Sequence, residues 1–323
     1  MSPLFKAGLV LVTAAALLCP AAAQDYPTRS VKIIVPFGAG GPADLYARFI
    51  GQNLQDTLKQ PFVVEDRPGA GSITGTAEVA KAAPDGYTLL MMSNTHTVNE
   101  TLRPNRPFQL MRDFVPVAPV NYSDLIMVVH PSVPANNLKE FLALLKSKPG
   151  DLNYASSGLG TPYHMAGELF KAMSGTNIVH VAHKASGDAR TAVIGGHVQM
   201  MIDAITTTAP TVQGGQVRAL GTTGKTRSSL LPDVPTVAEA GVPGYEATIW
   251  LGFMAPAGTP KPVVDKLNAE INKVLARPET KEGWAKQGAV PIVMSPAEFD
   301  KYLRDDIEKW AKVIETAGIK PPQ

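Results

Sequence analysis

The segment Val31–Arg48, VKIIVPFGAGGPADLYAR, forces an apolar strand, a glycine turn and a helix into immediate succession. Gly38, Gly40 and Gly41 carry no Cβ, so the turn can take positive φ and bring bare amides close to a bound group. Pro42 suits a first helical turn, where a missing N–H costs little. Tyr46, Phe49, Ile50, Leu54 and Leu58 then recur at helical spacing and predict one apolar face. Unsatisfied N–H groups and the positive end of the helix dipole make such a junction an anion cradle. The same residues also fit a dinucleotide fingerprint, Gly38-x-Gly40-x-x-Ala43, with Glu65 and Asp66 spaced for a ribose contact.

The N-terminus argues against the nucleotide. Residues 1–23 have the pattern of a secretory signal: Lys6, the apolar run Ala7–Leu18, and a small-residue cleavage site at Ala21-Ala22-Ala23. The apolar run is shorter than the ~20 residues of a membrane span, so cleavage is expected rather than anchoring. Cys19 follows bulky Leu18, which disfavours lipidation. It is the only cysteine and leaves with the signal, so the mature chain holds neither a disulfide nor a thiolate site. An exported chain of some 300 residues without disulfides points to a bacterial periplasm and is long enough for two domains. Removing Lys6 from 30 basic against 28 acidic residues leaves a net +1, which suggests neither a nucleic-acid nor a membrane-surface partner. No cofactor is expected.

Strand-like and helical runs alternate along the chain, predicting an α/β fold with parallel sheets covered by helices on both faces. Strands are predicted at Val31–Phe37, Phe62–Glu65 and Tyr87–Ser93, with helices over 43–58 and 72–83. The first series ends in the polar run Ser93-Asn94-Thr95-His96, and 102–119 reads as proline-rich and irregular. Strand Leu125–His130 leads to a second series. Its strands lie at Leu152–Ser156, Ile178–His183, Val198–Asp203 and Val217–Gly221, with helices over 162–173, 187–195 and after Asp203. A strand at Ile249–Ala255 and two amphipathic helices follow. The first helix opens at Thr259-Pro260, with Val263, Leu267, Ile271 and Leu275 as its stripe. The second opens on the capping box Ser295–Glu298, with Phe299, Leu303, Ile307, Trp310 and Ile314 on one face and a stop at Gly318. Those stripes read as core rather than ligand site.

The second series has its own cradle. Asn153–His164, NYASSGLGTPYH, ends a strand in small hydroxyl residues and glycines before a proline opens a helix. Ser156, Ser157 and Thr161 add hydroxyl donors suited to a carboxylate. A nucleophilic serine is the rival reading and would make the chain an exported α/β hydrolase using Ser157. The G-x-S-x-G elbow is absent, however, and no acid is placed to orient His164. His180 and His183 fall on opposite faces of a strand, and six scattered histidines give no metal-ligand pattern, so no metal site is expected. His183 is expected to line a cleft. Two cradles, each opening its own α/β series, imply two facing lobes with a ligand at the carboxyl ends of the strands.

The chain resembles the Bug-type periplasmic substrate-binding proteins of tripartite tricarboxylate transporters. The resemblance runs almost end to end through YPTRSVKIIVPFGAGGPAD, VVEDRPGAGSITG, AKAAPDGYTLL, LNYASSGLGTPYHMAGELFK, IGGHVQMMID, LLPDVPTVAEAGVPGYEA and MAPAGTPKPVVDKLNAEI. It implies a type II periplasmic-binding fold: two α/β lobes, a two-stranded hinge and a cleft between them. Lobe 1 is expected at 25–125 plus 251–323 and lobe 2 at 126–250. It also implies a non-enzymatic receptor for a small organic carboxylate, a di- or tricarboxylate or an aromatic acid, which it delivers to a membrane permease, and a monomer. Binding positions carried over by the resemblance are Phe37, Ala39, Gly40, Gly41 and Asp44 in the first cradle and Ser93, Asn94 and Thr95 beside it. In the second lobe they are Ser156, Ser157, Gly158, Gly160, Thr161 and His164, together with Asp203. Three places depart from the family pattern. Gly38 replaces a usual proline, His183-Lys184-Ala185 replaces Tyr-Lys-Gly, and Tyr163 adds a ring to the second cradle. Tyr163, Phe37 and Trp250 are the residues expected to accommodate an aromatic acid.

Overall fold

The computed structural model describes residues 26–316 with Gly318 and Ile319. Residues 1–23, expected to be a secretory signal, and Cys19 among them lie outside the described residues. In chain order the first half runs β1 (Val31–Val35), α1 (Pro42–Leu58), β2 (Phe62–Asp66), α2 (Ile73–Ala80), β3 (Thr88–Ser93), α3 (Asn94–Leu102), α4 (Leu110–Asp113) and β4 (Phe114–Val129). The middle follows with α5 (Leu138–Ser147), β5 (Asn153–Ser156), α6 (Pro162–Ser174), β6 (Val179–Ala182), α7 (Ser186–Ile194), β7 (Met200–Ala204), α8 (Ile205–Gln213) and β8 (Arg218–Thr222). The chain closes with β9 (Thr248–Pro256), α9 (Lys261–Ala276), α10 (Pro278–Ala285), β10 (Ala289–Pro291) and α11 (Pro296–Thr316).

These elements form two α/β lobes on one continuous path of strands, β2-β1-β3-β9-β4-β7-β5-β6, with β8 and β10 each added to β4. Strands β1, β2 and β3 are parallel, as are β5, β6 and β7. The expectation of purely parallel sheets is corrected at the centre, where β4 and β9 run antiparallel to their neighbours. β4 serves both sheets: Phe114–Asp124 pairs with β9, and Leu125–Val129 pairs with β7 and β8.

Three local expectations need revision. Within 102–119, residues 103–109 are irregular as expected, but α4 and the start of β4 follow. Its prolines break the ladder without ending it, because the register slips between Pro116 and Ala118 and again between Pro119 and Asn121, where an N–H is lacking. In the polar run Ser93–His96, Ser93 ends β3 and Asn94 already opens α3. The Ser93 hydroxyl accepts the Thr95 amide (3.1 Å), and His96 Nδ1 accepts the Ser93 amide (3.2 Å). Histidine thus occupies the capping-box position usually held by Glu or Gln. Helix α5, capped by Asn137, and the short α10 and β10 are additional elements.

The predicted helix stripes are core. Val263, Leu267, Ile271 and Leu275 of α9 are buried, as are Phe299, Leu303, Trp310 and Ile314 of α11. On α1, Tyr46, Ile50 and Leu54 are buried, whereas Phe49 is partly exposed, edge-on to Trp284. One apolar cluster joins the lobes: Met165 of α6 packs with Val98 and Leu102 of α3 and Trp310 and Ile314 of α11.

Candidate functional site: a cavity between the lobes

A cavity of about 590 Å³ lies where loops of the two lobes face each other. One wall is Pro36–Gly38 and Gly41–Ala43, with Pro68–Ser72 and Arg103 beside it. The opposite wall is Ser157–Leu159, Thr161–Tyr163 and Ala182–Ser186. Ser93, Ile249 and Leu251, at the central strands, complete the lining. The volume is that of an ordinary small-molecule site.

The polarity of the lining is one-sided. The helices α1, α2 and α7 begin at Gly41, Ser72 and Ala185, and none of these N-caps has a side-chain capping bond. All three lie at the cavity, so first-turn amides and dipole ends converge on it. Arg103 and Lys184 line it as well, and no Asp or Glu does. Hydroxyls come from Ser72, Ser93, Ser157, Thr161 and Ser186, and apolar surface from Phe37, Tyr163, Ile249 and Leu251. Such a lining suits an anion with an apolar body.

The two lobes touch around this space. A Cβ placed on Gly38 would lie 2.4 Å from the Ala185 Cβ, and one on Gly41 would lie 3.1 Å from Ser186 Oγ. Gly38 and Ala185, two of the positions expected from the resemblance to be atypical, meet. Among the described residues no side-chain hydrogen bond or ion pair joins the facing loops, so their contact is steric and apolar.

Of the residues expected at the site, the cavity is lined by Phe37, Gly41, Ser93, Ser157, Gly158, Thr161 and His183. Ala39 and Gly40 are exposed on the outer side of the first loop. Gly40, at φ +74°, gives its amide to Asp44 Oδ2 (2.9 Å). Asp44 also accepts from Arg48 Nε (2.6 Å), so its carboxylate fixes the loop from behind. Asn94 and Thr95 are buried in the first turn of α3, where Asn94 donates to the Thr248 carbonyl (3.0 Å).

Ser156, Gly160 and His164 sit behind the second cradle. The Ser156 hydroxyl is wholly buried, accepts the Gly158 amide (3.1 Å) and shares a 2.6 Å hydrogen bond with His180 Nε2. His164 Nδ1 accepts the Gly160 amide (3.2 Å), and its ring lies 4.4 Å from that of His180. Asp203 is wholly buried and is not among the residues lining the cavity. It accepts Arg190 Nε (2.8 Å), the Thr208 hydroxyl (2.7 Å) and the Ala204 amide (2.9 Å). Tyr163 lines the cavity as expected. Trp250 does not; it packs against Phe299 and Tyr302 and donates to Asp306 (3.3 Å).

Sequence reasoning missed the 68–72 loop, Arg103 and Ser186 as lining residues, whereas Lys184 and Ala185 belong to the expected cleft-wall departure and do line the cavity. The first carried a legible signal: Gly69-x-Gly71 before α2 repeats the glycine logic of the first cradle, and Gly71 takes φ +61°. No local pattern marks Arg103.

Burial holds three histidines neutral. His96 and His164 are pushed down to about 4 and His180 to about 3. The unfolded chain binds these protons near pH 6.5 and the folded chain refuses them, so stability is greatest above neutrality and falls as pH drops through 6.5. The expected loss between pH 7 and pH 5 is several kcal/mol, at up to about 1.4 kcal/mol per pH unit for each histidine. Urea unfolding at the two pH values checks this, and equal midpoints would contradict it. A base pushed down to about 3, bonded to a wholly buried Ser156, is also unsuited to activating a nucleophile.

The strand path and the interlobe cavity define a two-lobed periplasmic-binding fold. The profile of the tripartite tricarboxylate transporter family receptor (TctC) matches residues 46–319. The chain belongs to that family. BugT of Bordetella pertussis is 36% identical over 313 residues, 96% of either chain. A protein encoded in the tcbD–tcbE intergenic region of Pseudomonas sp. strain P51 is 38% identical, over 90% of this chain and 86% of that one. Among solved structures, R. palustris Rpa4515 with adipate superposes with a TM-score of 0.89 at 33% identity, covering 92% of this chain and all of that one. MatC from Rhodopseudomonas palustris with bound malate gives 0.85 at 32% identity, covering 90% and all. The chain is therefore a solute receptor rather than an enzyme, and the hydrolase alternative through Ser157 is not favoured.

Proposed function

We propose that the mature protein is a periplasmic receptor that binds one small organic carboxylate between its lobes and hands it to the membrane permease of a tripartite tricarboxylate transporter. The observation that carries this reading is the cavity lining, with two cations, uncapped helix ends from both lobes and no carboxylate. Adipate in one structural relative and malate in another support a dicarboxylate. Phe37 and Tyr163 leave room for an aromatic body. The lobes are 25–125 with 251–323 and 126–250; the change of partners along β4 at Asp124/Leu125 supports this division. The close approach of Gly38 to Ala185 and of Gly41 to Ser186 supports reading this arrangement as closed. With no polar link between the facing loops, ligand bridging holds it shut by a hinge motion at β4 and β9. The protein acts as a monomer after cleavage of residues 1–23, with no nucleic-acid partner.

Isothermal titration with mono-, di- and tricarboxylates, amino acids and nucleotides tests the reading. A single saturable site for a di- or tricarboxylate is expected. Binding of a dinucleotide with no carboxylate response would overturn it.

A further inference from the structure

Among the described residues, no acid pairs with the two cations, Arg103 and Lys184, that line the cavity. Arg103 follows α3 and reaches the seam where the 68–72 loop of one lobe meets Leu159 of the other. A Cβ built on Gly71 would lie 3.1 Å from Arg103 Nη2, 3.4 Å from its Nε and 2.5 Å from the Leu159 carbonyl oxygen. The guanidinium is half-buried, and its Nε is shut off from solvent without a hydrogen-bond partner. Other half-buried arginines of this chain have partners: Arg106 pairs with Glu100 and Arg190 with Asp203, while Arg218 donates to the Val133 and Ala135 carbonyls and Arg277 to Asn53 Oδ1. No such acid lies against Arg103, and burial alone lowers its pKa from the ordinary arginine value. Lys184, the other lining cation, is exposed on the opposite wall.

An unpaired guanidinium donor in a partly dry site is costly. A ligand carboxylate removes that cost, and the planar fork of arginine matches it with two parallel bonds. Beside the contact of Gly38 with Ala185 and of Gly41 with Ser186, the uncapped first turns of α1 and α7 bring backbone amides to the cavity. We propose that Arg103 receives the second carboxylate of a dicarboxylate whose first carboxylate lies at those helix ends, so that the receptor selects dianions over monoanions of the same chain length. This rests on the carboxylate-receptor reading above. It assigns a selectivity role to a residue outside both glycine cradles.

The test is calorimetric titration of wild type, Arg103→Gln and Arg103→Lys with succinate, glutarate and adipate, each beside its matched monocarboxylate: butyrate, pentanoate and hexanoate. Wild type is expected to bind at least one dicarboxylate about thirtyfold or more tightly than its monocarboxylate partner. Arg103→Gln is expected to bring that ratio below about threefold by weakening the dicarboxylate alone, with Arg103→Lys between the two. The ligand-free Arg103→Gln protein melts at or above the wild-type temperature, because an unpaired, half-buried cation has been removed. An Arg103→Gln protein that keeps its discrimination, or that weakens both partners equally, overturns the assignment while the receptor reading stands. Wild type that binds monocarboxylates as tightly as dicarboxylates does the same. Wild type that binds no carboxylate overturns both.

Discussion

Gly38→Ala is expected to bind its carboxylate about a hundredfold more weakly than wild type, with the fold intact. The added methyl would stand 2.4 Å from the Ala185 Cβ, more than an ångström inside ordinary carbon–carbon contact. The clash lies between lobes and not within one, so opening relieves it. The cost therefore falls on closure, which the ligand must then drive. Gly38 is free of the positive φ that would strain an alanine, and the melting temperature of the ligand-free protein should barely move. The control is Ala185→Gly in the same chain, which removes the opposing methyl and is expected to restore affinity to within about threefold. Titration of the three proteins with one dicarboxylate decides the matter. Equal affinity for wild type and Gly38→Ala would mean that the two loops do not meet in the bound state.

Asp203→Ala is expected to have the reverse profile. Its carboxylate is wholly buried, and Arg190, with a side chain only 14% exposed, depends on it for charge balance. The Thr208 hydroxyl and the Ala204 amide lose their acceptor too. Breaking a buried pair on one side costs about 3–5 kcal/mol, which for a chain of this size lowers the melting temperature by roughly 10 °C. Affinity measured well below that temperature should change less than about threefold, because the carboxylate is not among the groups that line the cavity. Asp203→Asn keeps the acceptor oxygen and should retain part of the stability. A normal melting temperature combined with lost binding would return Asp203 to the site.

Those two residues show where the sequence was and was not legible. The alternating strands and helices, the apolar stripes of α9 and α11 and the glycine cradles are local patterns, and periodicity exposes them. Asp203 ends a strand at the depth where ligand groups gather, and nothing local shows that Arg190, thirteen residues earlier, claims it. Gly40 is similar: its positive φ was readable, but the loan of its amide to Asp44 was not. The prolines of β4 suggested an irregular segment because proline is rare in central strands, and only the long partner β9 tolerates the slipped register. Arg103 was invisible for the opposite reason. Its significance is the absence of a partner, which only three-dimensional neighbours reveal.

A crystal structure of the protein grown with saturating adipate tests the central claim most directly. The expected result is one adipate in the cavity between Gly38–Ala43 and Ala182–Ser186, with the lobes in contact at Gly38 and Ala185. Adipate found instead only in the groove beside Phe49, Trp284 and Thr206, with the interlobe cavity empty, would contradict it.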